Sequence, residues 1–228
     1  MLTILFFCFA RVYADLDTEC LRPTSAVLQA FEIPLSDVEN TTSGVNDEYI
    51  SQAAVFGRMG TDETFKNSIP NAWMAASPGH PFFLMPLMSA RAEIAKSRRF
   101  AHQLWYASPS AEHMTGPIAL LNNVHRYKAH GLGKEAAGLA AISPFADRSG
   151  NTKQEVVLLP NHWVYPFNWN SGEGLRAICS VEQQSFDPKR CQEILEVGHR
   201  GSISITYWSH THRGKGADAK NIEIVSHE

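Results

Sequence analysis

The sequence predicts an α/β fold, and three observations carry that expectation. The apolar run Leu2 to Ala10 reads as a strand buried on both faces, the pattern of strands in parallel sheets. Strand-like segments farther along are interleaved with segments of helical pattern, as in layered α/β proteins. Two carboxylates, Asp15 and Asp17, stand just after the first strand, where open α/β sheets bind their ligands. If that strand continues, its period of two places both acids on one side. Two carboxylates there form a hard oxygen site suited to Mg²⁺ or Mn²⁺.

At 228 residues the chain is one domain, or one domain with a small lobe, and it can bury a core. Its 44% hydrophobic and 19% charged residues are ordinary for a globular protein. A net charge of −3 and a pI near 6.4 point to neither nucleic acid nor an anionic membrane as partner. No apolar run reaches the roughly 18 residues of a membrane span. Leu2 to Ala10, with Val12-Tyr13-Ala14 after it, also has the outline of a signal peptide. The strand is preferred, because no positive charge precedes the run and cleavage after Ala14 would separate the strand from Asp15.

After Pro23, Ser25 to Phe31 reads as a short helix with Ser25 as its cap. Polar residues from Pro34 to Glu48 make a loop that carries a glycosylation sequon at Asn40. Ala53 to Gly57 reads as a strand, and Gly57 and Gly60 allow tight turns or close backbone approach. Ile69 onward begins as a strand and ends in the turn Ser77-Pro78-Gly79. His80-Pro81 then opens a helix, crowded with apolar residues at first, more polar later and reaching about Trp105. Thr115-Gly116-Pro117 starts another helix, with Ile118, Leu121, Val124 and His125 on one face.

A variable connection from Gly131 to Lys153 contains a short Ala-rich helix at Glu135 to Ala141. Glu155 to Leu159 is a strand ended by Pro160. Asn161 to Trp169 is rich in aromatics, which serve either as a sugar platform or as core, with core preferred for Trp163 and Phe167. A short helix runs from Asp187 toward Leu195, and Ser202 to Trp208 is the last strand, followed by His210 and His212. The cysteines are Cys8, Cys20, Cys179 and Cys191, with no Cys-x-x-Cys pair to suggest zinc. Cys179 and Cys191 fit either a bridge or two buried thiols.

The extended segment Tyr13 to Pro23, Tyr-x-Asp-x-Asp-x-x-x-Leu-Arg-Pro, resembles the DXD segment of family 32 glycosyltransferases, which include fungal Golgi mannosyltransferases. Asn71 to Phe82, Thr115 to Pro117, Val156 to Pro166 and Ile203 to His210 resemble that family's later segments, in its order. The resemblance implies a GT-A-like, Rossmann-type nucleotide-sugar fold over residues 1–216, with 217–228 as a polar tail. It implies a metal site of Asp15, Asp17 and His210 for Mn²⁺ or Mg²⁺, with His212 the less favoured histidine. It implies substrate contacts at Tyr13, Asp15, Asn71, His80, Thr115 and Gly116. For His80, a histidine that only satisfies backbone groups at a helix start is an equal alternative; for Thr115, a plain cap is the competing role. The implied activity is retaining, metal-dependent transfer of mannose from a nucleotide-diphosphate sugar, GDP-mannose, to a glycan or glycolipid acceptor. The implied address is the Golgi or another secretory lumen, membrane-associated in full-length form.

Ala10 and Arg11 stand where the family carries Gly-Gly, and the family has a long segment before its DXD. The chain is therefore expected to be an N-terminally truncated version of such an enzyme, binding donor poorly, with a non-catalytic fragment as the alternative. A haloacid-dehalogenase-type phosphohydrolase needs Thr or Val two residues after the second Asp, where this chain has Glu19. A hydrolase built on His210 and His212 lacks a second histidine cluster.

Overall fold

The computed structural model describes residues 12–33, 51–60, 69–100, 110–144, 146, 152–168 and 170–208. The expected strand Leu2 to Ala10, the sequon at Asn40, the site histidines His210 and His212, Cys8 and the polar tail lie outside the described residues.

The protein is mixed α/β, and its described residues build a mixed four-stranded sheet in the order β1-β4-β3-β5. These strands are β1 (Val12–Ala14), β3 (Ser51–Gly57), β4 (Trp73–Ala76) and β5 (Lys153–Leu159). β3 and β5 pair in parallel, with Val55 opposite Val157. β4 runs antiparallel between β1 and β3, with Tyr13 opposite Met74 and Phe56 opposite Met74 on the other side. Two antiparallel steps bring β1 back into the direction of β3 and β5, so all three end at one edge of the sheet.

The continuation of the first strand through both acids is not what the structure shows. The described strand before the acids is a three-residue edge strand with an antiparallel neighbour, and Val12 is 44% exposed. It does not run on through both carboxylates. The chain turns at Asp15, with the Thr18 amide donating to the Asp15 carbonyl, and re-enters a second, two-stranded sheet. There β2 (Thr18–Cys20) pairs antiparallel with β6 (Ser204–Thr206). The physical reason is partner choice: β2 finds its backbone partner in β6, off the main sheet.

Helices cover the sheets. α1 (Ser25–Ala30) begins after Thr24 as N-cap, with no side-chain cap bond, rather than at the Ser25 cap that the sequence suggested. A 3₁₀ turn (Pro81–Phe83) leads into α2 (Leu84–Phe100). Then come α3 (Ala111–Met114), α4 (Pro117–His130) and α5 (Lys134–Ala141). The buried face of α4 carries Ala119, Leu120, Leu121, Asn123 and Val124, and His125, expected on that face, is exposed. α6 (Asn161–Val164), α7 (Glu173–Cys179), α8 (Pro188–Ile194) and α9 (Val197–Arg200) follow β5.

Three cores result. One face of the main sheet packs Phe56, Met74, Phe82, Phe83, Leu121 and Val124. The other face packs Val55, Trp73, Ala75, Val164 and Tyr165. Behind β2 and β6, a small core of Phe167, Ile205, Cys179 and Cys191 is closed by a Cys179–Cys191 disulfide. That bond resolves the choice the sequence left open. Cys20 is a free, exposed thiol.

Candidate donor and metal site

The candidate site forms at the edge where β1, β3 and β5 end, the edge at which open α/β sheets take their ligands. Asp15 directly follows β1, and its amide donates to the Ala72 carbonyl at 2.8 Å, just before β4. Asp15 and Asp17 are both half-buried, while Leu16 between them is fully exposed. A turn rather than a continued strand thus carries the two acids.

The Tyr13 hydroxyl donates to Asp15 Oδ1. That bond, with partial burial and the charges of Asp15 and Asp17, pushes the Tyr13 phenol up to about 12. The bond fixes one oxygen of the Asp15 carboxylate and restricts its rotation.

Tyr165, which the sequence analysis did not single out, supports the acids from beneath. Its side chain is fully buried. Its hydroxyl accepts from the Trp73 amide at 2.7 Å and reaches the Pro70 and Trp73 carbonyls, both at 3.4 Å. Burial drives its phenol far above the ordinary range, and the nearby Asp15, Asp17 and Tyr13 push the same way. Gly57 makes this possible, because a Cβ there would lie 2.8 Å from both the Tyr165 ring and the Val164 side chain. Gly57 admits Tyr165, Tyr165 pins the chain from Pro70 to Trp73, and Ala72 in that segment anchors Asp15. The signal present in the sequence was the aromatic run after Pro160 together with Gly57, read there only as core and turn.

Asn71 is exposed beside this anchor. The start of α4 lies against the same segment, since the Ile69 amide donates to the Pro117 carbonyl at 3.2 Å. Exposed Thr115 and half-buried Gly116, the N-cap of α4, thus belong to this end of the protein. Arg58, also not singled out in the sequence, follows β3 here, and its amide donates to the Leu159 carbonyl. By continuation of the strand register it flanks Ala72 on the side opposite Asp15, roughly 10 Å from Asp15 across two strand spacings.

His80 is not brought to this site. It follows β4 at the far edge of the sheet, roughly 15 Å from Asp15 along the strand. It is fully buried, its Nδ1 accepts from the Phe82 amide at 3.3 Å, and it stacks toward Tyr127. This is the helix-start role. Burial pushes its pKa down to about 4, the Glu155 main chain opposing slightly. Nε2 makes no hydrogen bond of ordinary geometry, so Glu155 acts only as a nearby dipole.

Asp15 and Asp17 put two half-buried carboxylates, the oxygen donors that a hard divalent ion prefers, on one turn. Among the described residues no group of three or more His, Cys, Asp or Glu is arranged as a metal cluster. Thr206 pairs with Thr18, so β6 returns the chain to the acid turn at Tyr207 and Trp208. Comparison with protein-family models, with curated proteins and with solved structures finds no match to this chain.

Proposed function

We propose that this protein is a metal-dependent glycosyltransferase that takes a sugar from a nucleotide-diphosphate donor and delivers it to a glycan or glycolipid acceptor. The observation that supports it is the pair Asp15 and Asp17 on one turn at the carboxyl-end edge of β1, β3 and β5, with Asp15 held by the Tyr13 hydroxyl and by the Ala72 carbonyl in the segment that Tyr165 pins. The donor sugar, mannose from GDP-mannose, and retention at its anomeric carbon come from the motif resemblance alone.

Asp17 holds the ion, with His210 as the further ligand that the motif resemblance suggests. Asp15, one oxygen fixed by Tyr13, presents the other to ribose or sugar hydroxyls. Mn²⁺ or Mg²⁺, when bound, neutralises the diphosphate leaving group. Arg58, two strand spacings from Asp15, would bring a guanidinium toward the same phosphates, a donor fork suited to them. The disulfide in the small core fits an oxidising secretory compartment. Among the described residues no helix is long and apolar enough to cross a membrane.

Calorimetry with Mn²⁺ and GDP-mannose tests the reading. Donor binding should require Mn²⁺ and should be abolished by Asp17→Asn, with the melting temperature unchanged. Donor binding that is equal in the variant, or indifferent to metal, would overturn it.

A further inference from the structure

Two residues beyond Asp17, a second polar cluster joins three elements. Gln192 Nε2, on α8, donates to Glu19 Oε2 at 3.0 Å and to the Tyr207 hydroxyl at 2.8 Å. The Tyr207 hydroxyl donates its own proton to Glu19 Oε2 at 2.7 Å. The Phe186 ring meets Tyr207 edge-on, with centroids 5.2 Å apart. Glu19 is exposed and the other three are half-buried, so the cluster opens to solvent.

Its hydrogen-bond inventory is lopsided. Both N–H groups of the Gln192 amide and the one Tyr207 proton are spent inside the cluster. Glu19 Oε1 and the Gln192 carbonyl oxygen accept nothing from the described residues. Two acceptor oxygens without a partner among the described residues thus belong to a solvent-accessible cluster that also holds an aromatic pair. A vicinal diol offers the complementary pair of donors, and the C–H face of a pyranose offers the apolar complement. Glu19 lies roughly 7 Å along the chain from Asp17, about one sugar ring away.

We propose that Glu19, Gln192, Tyr207 and Phe186 form the acceptor subsite, binding the terminal pyranose of the acceptor glycan through a vicinal diol. This rests on the glycosyltransferase reading above. Glu19 and Gln192 each accept one hydroxyl proton, and Phe186 and Tyr207 flank the ring. No bond is made or broken by these residues.

The test uses α-mannobiose as acceptor probe and GDP-mannose with Mn²⁺ as donor probe, on the full chain. Saturation-transfer NMR should show mannobiose receiving magnetisation from the Phe186 and Tyr207 rings. Glu19→Gln should weaken mannobiose about ten-fold or more, as expected for loss of a hydrogen bond to a charged group, and Tyr207→Phe should weaken it as well, because Glu19 Oε2 loses the hydroxyl that positions it. Donor affinity and melting temperature should stay at wild-type values in Glu19→Gln. A mannobiose analogue lacking one hydroxyl of the diol should bind wild type as weakly as the intact sugar binds Glu19→Gln. Mannobiose binding that neither variant changes, or no mannobiose binding to wild type, overturns the subsite. Mannobiose bound at the cluster without any Mn²⁺-dependent donor binding would instead uphold the subsite and remove the transferase reading.

Discussion

Acidification should weaken the fold through His80, whose buried ring resists protonation. The ring is fully buried, and Nδ1 accepts the Phe82 amide, so the neutral form carries its proton on Nε2. A second proton would have to enter at Nδ1, against an N–H already pointing there, in a site closed to bulk solvent. Burial lowers the pKa from the model-peptide value of 6.5 to about 4. A histidine with a depressed pKa contributes stability that is whole above about pH 6.5 and is lost as pH falls through 4. The gap between 6.5 and about 4, at about 1.4 kcal/mol per pH unit, comes to about 3.5 kcal/mol, of which roughly 3 kcal/mol is lost by pH 4, where the folded ring is half-protonated. Urea unfolding of wild type and His80→Asn, at about pH 7 and about pH 4, isolates this share. Asn keeps an acceptor for the Phe82 amide but does not titrate, and the carboxylates titrate alike in both proteins. Wild type should lose roughly 3 kcal/mol more than the variant between the two pH values. An imidazole NMR titration with a midpoint near the free value, or equal acid losses in the two proteins, would refute the buried-neutral account.

Gly57→Ala should cost about 1–3 kcal/mol, because its Cβ would collide with Tyr165 and Val164; thermal unfolding reads this, and an unchanged melting temperature removes the contact from the argument. Replacing Cys179 and Cys191 together by Ser should cost roughly 3 kcal/mol for a loop of this length. Peptide mapping without reductant should find the two linked and Cys20 free. Arg58→Ala should weaken inorganic pyrophosphate in the presence of Mn²⁺ about ten-fold, with Arg58→Lys intermediate. Equal pyrophosphate affinity in all three proteins would detach Arg58 from the phosphate role.

Much of the secondary structure was legible because its signals are local. The β-branched run before Pro160 ends where β5 ends, at Leu159. Ser77-Pro78-Gly79 does turn after β4, with Gly79 at φ 73°. Asp187 caps α8 by accepting from the Arg190 amide. Pairing was not legible. Nothing in Val12-Tyr13-Ala14 says that its neighbour is antiparallel, or that the chain leaves the sheet at Asp15 to meet a strand nearly two hundred residues later. His125 sits at a helical spacing from Leu121 that suits burial, yet tertiary packing rotated the buried face toward Leu120 and Val124.

The candidate site divides the same way. Its acids announce themselves by type and spacing, since hard-metal chemistry needs oxygen donors close together. What holds those acids in place is long-range. Tyr165 sets the Pro70 to Trp73 segment from more than ninety residues away, and Gln192 reaches Glu19 across 173. A residue that acts by bonding to another's backbone carries no motif of its own. Tyr165 reads as one more core aromatic until Gly57 is seen to leave it room and the Trp73 amide is seen to need its oxygen. His80 is the converse: placed inside a recognisable motif, it spends its ring on capping a 3₁₀ turn at the far edge of the sheet. Residue type and spacing therefore single out Asp15 and Asp17 as candidates, while the hydrogen bonds show which neighbours hold Asp15.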